Sequence, residues 1–150
     1  MAYHHILLLL HLLAATIWVG GHILLLACYV PAALREKNKH IILDFEKKYE
    51  KLGMGALLVL VGSGIAMAID YGIAPTDWFS FAAPVERVVS LKLLLLLLTL
   101  LLALSAQFNI IPRLKAGNNN LLPLLYHIMF VTALGILMLV IGSFVRFGGI

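Results

Sequence analysis

Cysteine is almost absent from this chain. Cys28 is the single one in 150 residues, so no internal disulfide can form, and the residue reads as a small buried filler. Charge is scarce too: Asp, Glu, Lys and Arg make up 12% of the chain, against 63% hydrophobic residues. The mean hydropathy is +1.04. No polar stretch is long enough to build a separate soluble domain, so a water-soluble fold is excluded. The five methionines are scattered rather than gathered into Met-rich motifs, and there is no internal repeat. The first apolar run has no basic n-region and no small-residue cleavage site. Met-Ala-Tyr-His-His leads straight into it, so it reads as a retained helix and not as a signal peptide.

Apolar length is what the chain does have. A membrane-crossing helix needs about 20 mostly apolar residues. Four runs meet that length, at about 6–30, 52–69, 84–111 and 121–147. The expected fold is all-α: one polytopic membrane domain over 1–150, an up-down bundle of four transmembrane helices. Pro31 is expected to close the first helix. The stretch 41–51, IILDFEKKYEK, alternates apolar and charged groups at helical spacing. It is expected to lie along the membrane interface and run into the second helix. That helix is rich in small residues (Gly53, Gly55, Gly62, Ser63 and Gly64), which permit close backbone approach and suggest a homodimer face. The loop YGIAPTDWFSFAAP carries Trp78, Phe79 and Phe81, an interfacial aromatic belt. RLKAGNNN should be a short polar turn.

Positive charge sets the orientation. Arg35, Lys37, Lys39, Lys47, Lys48 and Lys51 precede or enter the second run, and Arg113 and Lys115 follow the third. The other side keeps Arg87, Lys92 and Arg146, beside Asp70, Asp77 and Glu86. Loops rich in Lys and Arg stay cytoplasmic. Both termini are therefore expected on the outer face, periplasmic in a bacterial inner membrane. The pI of about 9.4 then reflects topology and contact with anionic lipid, and nucleic acid is not an expected partner.

The costly residues are those that sit deep in apolar runs. His11 and His22 are eleven residues apart, or about 1100° of helical turn and about 16 Å of rise. They share one stripe with Ala15 and Trp18, and that stripe should face the protein interior, because lipid tolerates neither imidazole. Counting depth along the runs places His22 level with His127 of the fourth helix. One histidine from each of two helices suits the two axial faces of a b-type haem. Nearer the outer face, His11, Lys92, Met67 and Met138 fall at similar depth, with His4 and His5 just above. That group suits a second haem or a copper ion, since imidazole binds either oxidation state of copper and thioether favours the reduced one. His11 and His22 are too far apart to share one metal. His40 reads as solvated.

Three stretches carry a resemblance: HLLAATIWVGG, FEKKYEKLGMGALLVLVGSGIAM and LKLLLLLLTLLL. They resemble the membrane domain of CopD-type copper resistance proteins and the HemJ-type protoporphyrinogen oxidases, small four-helix membrane proteins. The likeness covers the first three helices, about two thirds of the chain. It implies that His11 and Lys92 match the functional histidine and lysine of the HemJ-type group, with His11 a haem ligand. This chain has Gln107 and Asn109 where the HemJ-type pattern has a histidine, and that pattern has no counterpart of His22.

These readings converge on a redox protein holding one or two haem b groups, with copper in an outer site. Electrons would pass from a membrane donor such as quinol to an acceptor at the outer face. The alternatives are a copper-handling protein of CopD type, with histidines and methionines forming a relay, a HemJ-like oxidase, and a purely structural subunit.

Overall fold

The computed structural model describes residues 2–117 and 120–150. Helix α1, Ala2–Leu24, runs through a π-helical turn, Leu25–Tyr29, into α2, Val30–Arg35. Helix α3 is His40–Asp70. A loop with a 3-10 turn at Pro75–Asp77 leads to α4, Pro84–Ser105, which continues through a second π-helical turn, Ala106–Ile110, into α5, Ile111–Lys115. Helix α6, Leu122–Ser143, ends in a 3-10 turn, Phe144–Phe147. Four rods result, Tyr3–Arg35, His40–Asp70, Pro84–Lys115 and Leu122–Phe147, each long and apolar enough to cross a membrane. No strand occurs among the described residues. Their outward faces are aliphatic and aromatic: Leu58 is 70% exposed, Leu101 56% and Phe130 60%. Such faces suit lipid and not water.

Pro31 does not close the first helix, as the sequence had suggested. Proline lacks an N–H, and its ring crowds the carbonyl four residues back. Here the backbone widens just before it. The Val30 N–H bonds the Leu25 carbonyl, five residues back, and helix continues to Arg35. The same device recurs before Pro112, where the Ile111 N–H bonds the Ala106 carbonyl. Both π-turns lie near the ends of rods that finish among the basic residues.

The segment 41–51 is likewise not a separate surface helix but the start of α3. At 31 residues, α3 is about 46 Å long, well beyond the ~30 Å of hydrocarbon. Its first turns bury Ile42 against Val30, Ala33, Leu114, Leu124 and Ile128, the apolar cluster of the basic end. Lys47, Lys48 and Lys51 stay exposed. A second cluster, Ala14, Trp18, Val19, Ala56, Leu57 and Val131, holds the middle of the bundle.

Tyr49 fixes α1 against α3. Its ring rests on Gly21 and Gly53, where a Cβ on Gly21 would collide with it. Its hydroxyl donates to the Ile17 carbonyl. Phe45 stacks on the other side, with ring centroids 5.2 Å apart. Cys28, expected to be buried, is exposed on the first rod. At the start of α4, Glu86 accepts from the Ala83 N–H at 3.1 Å and from the Ser80 hydroxyl at 2.5 Å, which satisfies the helix N-terminus. Within the turn expected at RLKAGNNN, Asn118 and Asn119 lie outside the described residues. Gly117 takes the left-handed conformation, φ 106°, just past α5, where glycine carries no Cβ penalty.

Candidate functional site

A cavity of about 170 Å³ opens between the four rods, in the half of the bundle away from the basic loops. His11 comes from α1, Met67 from α3, Lys92 from α4 and Met138 from α6, and all four line it. Most of the remaining wall is apolar, and Trp78 from the loop before α4 contributes as well. The depth count from the sequence thus gathers these four residues around one space.

His11 is oriented by a hydrogen-bond chain. Its Nδ1 lies 2.9 Å from the Ser63 hydroxyl, and that hydroxyl lies 2.5 Å from the Val59 carbonyl. A carbonyl can only accept, so the single hydroxyl proton goes to Val59. Ser63 must then accept from an Nδ1–H on His11. This assignment leaves Nε2 with its lone pair, the state a metal-binding histidine needs, with the second nitrogen anchored to an oxygen. Gly64 lies beside the ring, where a Cβ would stand in ordinary contact, 3.4 Å from His11 Cε1.

Lys92 does not reach out to solvent. Its Nζ lies 3.0 Å from where a Cβ on Gly142 would be, so the amine rests against α6. No carboxylate pairs with it among the described residues. The indole N–H of Trp78 is buried with no acceptor in the described structure. The cavity therefore offers one imidazole base, two thioethers, an amine and a spare N–H donor inside an otherwise apolar wall.

His4 and His5 do not join this set. His4 Nδ1 lies 2.5 Å from Asp70 Oδ2, and its ring meets Tyr71 edge-on at 5.1 Å. The His4–Asp70 pair ties the start of α1 to the end of α3 at the rim. Seven residues of helix, about 10 Å, separate it from His11. His5 is exposed and does not line the cavity.

His22 and His127 are also outside the cavity, and they are not level with each other. The Thr132 hydroxyl lies 3.4 Å from the His22 carbonyl, which sets these two residues side by side. His127 is five residues earlier in α6, about 7.5 Å nearer the basic end. Each ring also folds back on its own helix, His22 Nδ1 to the Trp18 carbonyl at 2.8 Å and His127 Nδ1 to the Pro123 carbonyl at 3.0 Å. Because α1 and α6 run antiparallel, those bonds turn the rings apart. This is not the face-to-face pair that one iron would need. Trp18, whose ring centroid is 4.6 Å from that of His22, lines the cavity, and His22 does not.

Ser63, Trp78 and the Gly142 contact are the parts of the site that the sequence reading had not singled out for this role. Only Ser63 left a usable trace: a hydroxyl amid apolar residues at the depth of His11. No group of three His, Cys, Asp or Glu side chains converges among the described residues. Any metal held here would rely on nitrogen and thioether donors, a soft set that favours reduced copper over hard cations.

The fold defines a polytopic helical membrane protein with a largely apolar cavity between its helices. A family model for copper resistance protein D matches residues 43–145. The chain belongs to that family, which ties it to copper. No curated protein and no solved structure matches it. The matched span takes in Met67, Lys92, His127 and Met138 but starts after α1, so His11 and His22 lie outside it.

Proposed function

We propose that the chain is a copper-handling membrane protein that takes Cu(I) as cargo in the cavity between its four rods. The observation that carries this reading is the anchoring of His11 Nδ1 on Ser63, 2.9 Å away, in a cavity that Met67 and Met138 also line. One imidazole and two thioethers suit monovalent copper. Lys92 tunes the site, because a cation beside the ion weakens its hold and favours release. The basic end faces the cytoplasm, following the positive-inside rule, and the cavity lies in the outer half.

A second reading rests on the same residue. A lone imidazole in a largely apolar cavity is also the ligand that a haem b held on one axial side would take. The cavity of about 170 Å³ would have to widen to take a flat macrocycle, and bound haem would supply one-electron chemistry with quinol as donor. His11 is its single imidazole in the cavity, and the His22–His127 pair plays no part.

The test is metal analysis and an absorbance spectrum on one detergent-purified sample, before and after anaerobic loading with Cu(I). About one copper per chain and no Soret band are the expected result. A Soret band with a sharp reduced α-band would replace copper handling with the haem reading. Neither copper nor chromophore would sink both.

A further inference from the structure

The cavity between the four rods holds more than a copper ion would use. Lys92 lines it, and no Asp or Glu does. The acids nearest in sequence to the lining residues are already engaged: Asp70 with His4, Asp77 with Thr76, and Glu86 with Ser80 and the Ala83 N–H. Lys92 is thus an ammonium in a largely apolar space, with neither a counter-charge nor a hydrogen-bond acceptor among the described residues. A second donor belongs to the same wall. Trp78 lines the cavity, and its indole N–H is buried with no acceptor. Both groups can only donate. Burying either without a partner is costly, so buried charges are normally paired.

The space itself exceeds what one metal ion fills. A water molecule needs about 10–15 Å³, and ~150 Å³ holds a benzene ring, against about 170 Å³ here. A bare Cu(I) beside an unpaired ammonium would also put two positive charges in one low-dielectric space, where repulsion is strongest. We propose that Lys92 holds a halide ion in this cavity, with Trp78 as a second donor, and that Cu(I) enters beside it. The anion site stands on Lys92 and Trp78; its pairing with Cu(I) rests on the copper reading above. A halide is monovalent, small enough to leave room for the metal, and accepts hydrogen bonds from any direction. With it in place, the loaded cavity carries one net positive charge instead of two. Its departure restores the repulsion from Lys92 and favours release of the ion.

Iodide titration of the copper-free full chain in detergent, read by tryptophan fluorescence, tests the anion site alone. Trp18 and Trp78 are the two tryptophans of the chain, and both line the cavity. Quenching should saturate in the wild type and turn weak and linear in Lys92→Met. Linear quenching in the wild type would overturn the anion site without need of any variant. Arg87→Gln removes an exposed cation that is bonded to the Phe81 carbonyl at 3.2 Å and does not line the cavity; saturation should persist. An equal loss in both variants would mean diffuse attraction to a positive surface and overturn the pocket. Copper is read second, by competition with a Cu(I) chelator in chloride and in methanesulfonate at equal ionic strength. Cu(I) should bind about tenfold tighter in chloride, the order of one charge-assisted contact, and Lys92→Met should remove the difference. Equal affinity in the two salts would overturn the pairing and leave the copper reading intact. Saturable iodide binding with no copper uptake in either salt would do the reverse, sinking the copper reading and keeping the anion site.

Discussion

The half of this bundle that holds the cavity and the basic half treat the same side chain differently. In each, a histidine inside a transmembrane rod has its Nδ1 tied to an oxygen and its Nε2 left over. His11 is tied across to another helix, through Ser63, and sits on the wall of an open cavity. His22 and His127 are tied to the carbonyls four residues back on their own helices. Trp18 packs over His22, and His127 Nε2 is buried with no partner. A bond to the ring's own helix satisfies one nitrogen and positions the ring nowhere in particular. A bond to a neighbouring helix fixes the ring relative to the rest of the site. An intramembrane histidine is therefore not a functional residue by type alone; space beside its second nitrogen is the further requirement.

Substitutions can break that comparison, and the largest effect falls on His11. His11→Ala should abolish copper retention by the purified protein, while His22→Ala and His127→Ala keep it. Copper per chain after Cu(I) loading and desalting reads all three, and equal losses would erase the distinction between the halves. Ser63→Ala comes next. It leaves the ligand but frees its ring, and should weaken copper about 10- to 100-fold, as losing a partner behind a metal-bound histidine does. A competition titration against a Cu(I) chelator measures it. Met67→Leu and Met138→Leu conserve volume, so unfolding should shift by less than ~1.5 kcal/mol. Each should nonetheless weaken Cu(I) while leaving divalent copper unaffected. The smallest effect on copper belongs to Gly21→Ala. The added Cβ meets the Tyr49 ring, and overpacking of this kind costs ~1–3 kcal/mol. Thermal unfolding in detergent should report that loss, with the copper count of the folded fraction unchanged.

Much of this architecture could be read from the residues, because hydrocarbon imposes a simple rule on length and polarity. The four rods and the shared level of His11, Lys92, Met67 and Met138 followed from that rule. Depth counted from the edge of an apolar run failed for His22 and His127. Each run extends beyond its apolar part, through Pro31 in one rod and through the 41–51 segment in the next, so the edges are poor rulers. The direction in which a ring turns was invisible too, since it depends on which carbonyl takes the Nδ1 proton. Pro31 was misread because proline's missing N–H argues for a stop, and the alternative of bonding five residues back is a backbone adjustment with no residue signature. The expected homodimer face divides in the structure. Gly53 and Gly64 are taken up by Tyr49 and His11, whereas Gly55 and Gly62 have open space beside them.

The two π-turns have a consequence for how this chain tolerates change in length. A π-turn is a helix that has absorbed one surplus residue locally, so everything past it keeps its rotational phase. Deleting one residue within 25–29 or 106–110 should let the turn close to ordinary α-helix. Ala33 and Leu114, 0% and 1% exposed, would then keep their seats. The same deletion two turns earlier would rotate the remainder of the rod by about 100°. It would bring Leu34 toward the place of Ala33, or Lys115 toward that of Leu114, inside the apolar cluster of the basic end. The stretches ahead of Pro31 and Pro112 are thus the places where this bundle can lose a residue without turning its faces.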